Sequence, residues 1–286
     1  MRGASQLEEL VTAARRLGMT HLAITDTNGF YGLPNFLEIA RKHNIAPIVG
    51  VQVTARDGEA VLLARTPEVY PYLSELVSRR HLEETFSLTP ALTSGLPGLA
   101  VLSSDLELLS GLQGCGELYV EIRPGSEGEG PLRFARERQL PRVATNAVYF
   151  ADPQGYSLHR LLRAIDLNTT LADLPEDEVV HPGQWLKSTE QMAAHFPHCP
   201  EAMAEAIHLA HRCHTDWNFS GQIFPHYRDQ ERDHFQLLRE KCLAGVNWRY
   251  GSMNPAVAQR LEEELSLIRD KGFTDYFLIV ADIVQD

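Results

Sequence analysis

His21–Val53, HLAITDTNGFYGLPNFLEIARKHNIAPIVGVQV, is the stretch whose reading decides the fold class. It opens on a short apolar run, His21–Thr25, which reads as a strand. Asp26–Gly32 (DTNGFYG) is dense in residues that favour turns and reads as a loop. Pro34 is suited to the first turn of a helix, where its missing N–H costs nothing, and Phe36, Ile39 and Ala40 follow at helical spacing. Pro47–Val53 is then a second apolar strand. Strand, loop, helix, strand is the repeat of an α/β fold with a parallel-rich sheet.

The pattern extends in both directions. Upstream, Ser5-Gln6-Leu7-Glu8 has the form of a capping box, Leu7, Leu10, Val11, Ala14 and Leu17 recur at helical spacing, and Gly18 is placed to end that helix. Downstream, Arg56-Asp57-Gly58-Glu59 reads as a hairpin turn into Ala60–Ala64. Leu99–Ser103, Glu117–Ile122 and Arg142–Thr145 read as further strands, each followed by a helical stretch. In such folds functional side chains gather just past the C-terminal ends of the strands, so the loops after Thr25, Val53 and Thr145 are the places to look. From Glu190 the chain turns helical and rich in histidine. A domain boundary is expected near Ile223–Tyr227 (IFPHY), followed by helices around His234–Leu243 and Ala256–Asp270. The run Asp275–Val284 (DYFLIVADIV) is apolar on nearly every side, which predicts that something buries it and that the chain is a fragment whose next segment is missing.

Composition narrows the class. The chain has 286 residues, 44% hydrophobic and 22% charged, near globular averages, which excludes wholesale disorder. It has no apolar window of about 18 residues and no signal-peptide core near its start, so no membrane association is expected. Its four cysteines are scattered without a CxxC pair, which points to the reducing cytoplasm and away from a zinc ribbon. The net charge of −12 argues against a chain that holds DNA over its whole surface.

Several stretches, in order, resemble the N-terminal part of a bacterial C-family replicative DNA polymerase of the DNA polymerase III α-subunit type. They are Arg2–Ser5 leading into Glu8-Glu9-Leu10, Leu22–Asn28 (LAITDTN), Pro47–Val51 (PIVGV), Arg142–Tyr149 (RVATNAVY), His159–Ile165 (HRLLRAI), and Leu186–Met192 (LKSTEQM) with Pro200-Glu201-Ala202 and Cys213 beyond it. The tail from Ile268 through Val284 resembles the entry to the polymerase palm. The RGAS start and the Thr-Asp-x-Asn loop look most like the error-prone, translesion branch. The resemblance implies a degenerate PHP-type (polymerase and histidinol phosphatase) seven-stranded β/α barrel over 1–222, lacking its first strand. A mostly helical segment, 223–286, would begin the palm.

Active members of that domain family hold about three metal ions through His, Asp and Glu at strand ends and hydrolyse phosphoesters. Carried over residue by residue, the ligand set mostly fails. Asp26 is kept, but Thr27 stands where the loop's histidine would be, and Gln52 stands for a carboxylate. Ala147 and Tyr149 replace the late Asp and His, leaving His81 and His159 as scattered neighbours. Amide, methyl and phenol are poor metal ligands. These seven residues are therefore read as vestigial site positions. No catalytic residue, metal or other cofactor is expected in this chain, Zn and Mn at the PHP site included. Mg²⁺ belongs to the full polymerase, whose catalytic aspartates lie outside it and are not Asp275, Asp282 or Asp286. The implied partners are the rest of the polymerase chain, a proofreading exonuclease or another replisome subunit, and DNA mainly through segments outside this one. The competing reading is a metal-dependent PHP phosphoesterase or 3′–5′ exonuclease.

Plainer explanations compete at single residues. Asp26 also suits capping of the Thr27-Asn28-Gly29 turn, and His159 suits a structural helix face. The set His195, His198, Cys199, His208, His211, Cys213 and His214 invites zinc, but without paired spacing a solvated helix with buried cysteine is the preferred reading. Arg79, Arg80, His81, Arg133, Arg136 and Arg138 lie beside acidic residues and read as self-compensating surface charge, and the acidic run Glu262–Glu264 reads as a solvated helix face rather than a metal site.

Overall fold

The computed structural model describes residues 3–125, 128–219, 225–228 and 232–285, and the chain divides into two compact units, Met1–Trp217 and Asn218–Asp286. The boundary expected between residues 222 and 223 lies outside the described residues.

The first unit is built on six strands, β1 (His21–Ile24), β2 (Ala46–Ala55), β3 (Gly58–Ala64), β4 (Leu99–Ser103), β5 (Glu117–Ile122) and β6 (Arg142–Ala144), paired in chain order. Its helices are α1 (Leu7–Arg16), α2 (Leu33–Lys42), α3 (Val69–Leu82), α4 (Leu88–Leu92), α5 (Leu106–Gly111), α6 (Glu129–Arg138), α7 (Gly155–Asp166), α8 (Thr189–His195) and α9 (Pro200–Arg212). β1–β2, β4–β5 and β5–β6 are parallel, while β3 is antiparallel to both neighbours because it returns from β2 through a hairpin. Six strands paired in chain order and flanked by helices make this a mixed α/β unit, consistent with part of a β/α barrel. Among the described residues no pairing joins β6 to β1.

Local sequence explains most boundaries. Gly18 takes the left-handed conformation (φ +77°) that stops α1, and Met19 N–H donates to the Ala14 carbonyl at 3.0 Å. The capping box is displaced by one residue from the expected Ser5–Glu8 pair: Gln6 N–H donates to the Glu9 carboxylate at 3.0 Å. Ser5 Oγ instead accepts from Ala151 N–H at 3.0 Å, tying the N-terminal segment to the loop after β6. At the β2–β3 hairpin, Asp57 Oδ1 and Oδ2 accept from the backbone N–H groups of Leu88 (2.7 Å) and Thr89 (2.8 Å), at the start of α4.

Each face of the sheet has its own cover. On one, Val49, Val51, Val53, Ala60, Leu62, Val101, Leu118 and Val120 are buried with Phe36 of α2, Leu73 and Leu76 of α3, Leu88 of α4 and Leu109 of α5. On the other, Ile48, Leu63, Ala100, Leu102, Tyr119 and Val143 pack against Leu209 of α9 and Cys213 just beyond it. Fully burying one such aliphatic side chain stabilises by about 1.5–3 kcal/mol, so these two layers, rather than helix propensity, hold the unit together.

The second unit contains α10 (His234–Tyr250), α11 (Pro255–Asp270) and α12 (Thr274–Gln285), packed on Leu237, Leu238, Leu265 and Leu278. α12 departs from the expectation of all-round burial. Leu278 is fully buried, but Ile283 and Val284 are 70% and 79% exposed, because one helix pair covers one side of a helix.

Candidate functional site at the C-terminal strand ends

Alternation along the strands sorts the polar residues. Gln52 pairs with Val61, Val61 with Leu102, Leu102 with Tyr119, and Glu121 with Val143. Residues two apart on a strand share a face, so Gln52, Glu59, Glu121, Arg123 and Thr145 all belong to the face covered by α9. That face is apolar through its middle and becomes polar past the C-terminal ends of the parallel strands. Thr27 joins it through a parallel bridge to Gln52.

The side chains form one continuous chain of contacts. Thr27 Oγ1 donates to Gln52 Oε1 (3.2 Å), and Gln52 Nε2 donates to Glu59 Oε2 (3.2 Å). The Arg123 guanidinium donates to Glu59 Oε1 (3.3 Å) and to Glu121 Oε2 (2.7 Å), and Thr145 Oγ1 donates to Glu121 Oε1. Glu121 is only 3% exposed. Burial works against the charge on Arg123, but attraction to Glu121 and then Glu59 outweighs it and holds the guanidinium above its ordinary pKa.

The vestigial positions do not converge. Asp26 lies one residue out of phase with Thr27 and turns to the face covered by α2 to α5, where Oδ2 accepts from Gly32 N–H (2.8 Å) at the start of α2. It closes the whole loop, where sequence reading had it capping Thr27-Asn28-Gly29. Thr27 and Gln52 are in the strand-end chain. His81 is exposed and its Nε2 meets the Asn28 carbonyl at 2.7 Å. Ala147 holds a left-handed backbone (φ +47°), and Tyr149 bonds through its backbone to Gln184 and Ala4. His159 is fully buried among Tyr149, Phe150 and Tyr156, and its Nε2 accepts from Val180 N–H (3.0 Å), which fixes a neutral imidazole in a structural place.

Nor do the histidines and cysteines of 195–214 come together. His208 pairs with Glu205 (3.3 Å), His211 packs edge-on against His21, and His214 against Trp217. Burial raises the Cys199 thiol and pushes that of Cys213 up to about 11, despite Arg65 and Arg212 near the latter. Among the described residues no group of three or more His, Cys, Asp or Glu side chains is arranged to hold a metal ion. Arg79 is paired with Glu83 and Arg133 with Glu137. Beside the strand ends, Lys187 is 5% exposed and donates to Asn146 Oδ1 (3.3 Å) and to the Gly183 carbonyl over the Trp185 ring; burial depresses its pKa. A surface cleft elsewhere, lined by Glu8, Glu9, Arg16, Asp152 and Leu158, includes none of the strand-end residues.

Sequence reading missed Glu59, Glu121 and Arg123. The available signal was ELYVEIR (117–123), where acid and base sit two residues apart at the end of an otherwise buried strand.

Residues 1–130 match the family model of the PHP domain, and residues 236–286 match that of the bacterial DNA polymerase III alpha NTPase domain. An error-prone DNA polymerase of Symbiobacterium thermophilum is 28% identical over 99% of this chain, covering 30% of that protein. Over nearly its whole length the chain is similar to the DNA polymerase III α-type polymerases. The DNA polymerase III α subunit of Bacillus subtilis is 28% identical over 100% of the chain, and that of Escherichia coli K12 29% over 99%, each match covering 28% of the relative. The chain thus spans under a third of the length of these relatives. A solved structure assigned as a metal-dependent phosphoesterase from Bifidobacterium adolescentis has a TM-score of 0.36 and 15% identity over 51% of this chain and 82% of its own, a likeness too slight to argue from. Among the described residues no helix is long and apolar enough to cross a membrane.

Proposed function

We propose that this chain serves as the N-terminal, PHP-type region of a DNA polymerase III α-type subunit in DNA replication or error-prone repair synthesis. Within it the barrel has a structural and partner-docking role and hydrolyses no phosphoester of its own. One observation carries this reading: the strand-end positions offer an amide and a hydroxyl at Gln52 and Thr27, while Asp26 turns to the opposite face. Metal-assisted hydrolysis needs clustered anionic or imidazole donors with an open position for water.

Polymerisation needs paired carboxylates on Mg²⁺, and Asp275 and Asp282 of the helical unit are otherwise engaged. Asp275 accepts from Tyr227 N–H and His234, and Asp282 from Lys241 and Tyr227. Mg²⁺ chemistry and the main DNA track are therefore assigned to other segments of the polymerase. α12 presents Tyr276, Val280, Ile283 and Val284 as an exposed apolar stripe suited to the rest of that chain. α7 presents Leu158, Leu161 and Ile165, suited to a second subunit such as a proofreading exonuclease. Free cysteines suit the cytoplasm.

Primer extension on gapped DNA by the full-length gene product tests the assignment, and absence of templated synthesis would refute it. Hydrolysis of p-nitrophenyl phosphate, or of a 3′ end, by the chain itself would instead establish the phosphoesterase or 3′–5′ exonuclease reading.

A further inference from the structure

A barrel end that has lost its metal ligands is expected to lose its acidic residues too, because a carboxylate facing a second carboxylate in a half-buried site is destabilising without a cation. This chain keeps two, Glu59 and Glu121, with Glu121 3% exposed. We propose that the Arg123 guanidinium is a built-in cation at the strand ends, occupying the place between these carboxylates that a metal ion would otherwise take and joining β1 through β6 without one. This rests on the reading of the barrel as a non-hydrolytic region.

The donor accounting supports it. Each carboxylate gives one oxygen to Arg123, at 3.3 Å for Glu59 and 2.7 Å for Glu121. Each gives its other oxygen to a neutral donor, Gln52 Nε2 for Glu59 and Thr145 Oγ1 for Glu121. Thr27 completes the chain through Gln52. Five of the six strands, or the residues just past them, thereby meet in one polar cluster, with only β4 represented separately, by Ser103 Oγ donating to the Glu59 carbonyl (2.6 Å). A guanidinium suits the place because its planar fork addresses two carboxylates at fixed angles and its charge does not titrate, whereas an ammonium is a single point charge. The substitution also explains the loss of chemistry: a guanidinium neutralises carboxylates but has no coordination position at which water is activated.

The test is thermal melting of the 286-residue chain in EDTA, in Mn²⁺, and in millimolar guanidinium chloride against NaCl of equal ionic strength. The wild type should melt at the same temperature in EDTA and in Mn²⁺. Arg123→Ala should melt about 10 °C lower in EDTA. It should be partly restored by Mn²⁺ or guanidinium and not by NaCl. Should Arg123→Ala fail to fold, Arg123→Met and the double variant Arg123→Met/Glu121→Gln decide. Removing the acid with the base should recover part of the loss. Equal restoration by NaCl, or a double variant whose loss is the plain sum of the single ones, overturns the proposal. Either of those results in the variants, with a wild type that is metal-free and inactive, refutes this inference alone. One that needs Mn²⁺ and hydrolyses p-nitrophenyl phosphate refutes the non-hydrolytic reading as well.

Discussion

At the N-terminal end of the parallel strands, on the face covered by α9, Glu117 is shared by two guanidinium groups, Arg65 and Arg212, the latter at 2.8 Å and also donating to the Tyr119 hydroxyl. At the C-terminal end of the same face the ratio is inverted among the described residues, and Arg123 is shared by Glu59 and Glu121. The lower cluster has more cation than carboxylate and clamps α9 to the sheet. The upper one has more carboxylate than cation, which is the composition of a metal site with its cation supplied by the chain. In β/α barrels the lower end generally serves stability and the upper end chemistry. Here the lower end is a carboxylate shared by guanidinium groups, and the upper end a guanidinium shared by carboxylates.

Substitutions can break or sharpen this contrast. The largest effect is expected for Arg123→Met, which strands two carboxylates and should cost about 3–5 kcal/mol in urea unfolding. Glu117→Gln should cost less, about 1–3 kcal/mol, because Arg65 and Arg212 are 19% and 32% exposed and can turn to water. Equal losses for the two variants would erase the distinction between the ends.

Asp57→Asn should cost about 1 kcal/mol through the weakened α4 cap. Burial would raise the Asp57 carboxyl, but the N–H groups of Thr89 and Leu88 outweigh it and hold its pKa below the usual value. Its folded-state pKa being depressed, the difference from wild type should be complete above about pH 4, the ordinary carboxyl range, and vanish as pH falls through the lower folded-state value. A difference that persists at the acid end would show that the cap does not depend on the ionised carboxylate.

Asp26→Asn should have a small effect on stability, about 1 kcal/mol or less, and none on the melting response to Mn²⁺, because Asp26 closes the loop on the other face. Altered metal response in that variant would return Asp26 to the site. The smallest effect concerns the covered face itself. With its thiol buried and its pKa raised, Cys213 should react with iodoacetamide at pH 8 far more slowly than the half-buried Cys115, as peptide mapping would show.

The strands were legible because their information is local. Leu99–Ser103 and Glu117–Ile122 coincide with β4 and β5, and Asp57-Gly58 marked the hairpin. The upper cluster was not legible in the same way, since Glu59 and Arg123 are 64 residues apart and meet only through the register of β2 to β5. Asp26 and Thr27 were read together as site positions, yet adjacent residues on an extended chain point to opposite faces, so only Thr27 reaches the cluster. The capping box slipped by one residue because Ser5 found a tertiary partner in Ala151. In α12 the apolar pattern has no polar face to orient it, so the exposed stripe appeared only with the packing of Leu278.

The central claim is that a guanidinium, and no metal ion, neutralises the strand-end carboxylates. Anomalous scattering from crystals of the wild-type chain grown in excess Mn²⁺ tests it most directly. The account predicts the Arg123 guanidinium lying between Glu59 and Glu121 with no Mn²⁺ peak at the strand ends. A Mn²⁺ peak bound by those two carboxylates, with Arg123 displaced, would contradict it.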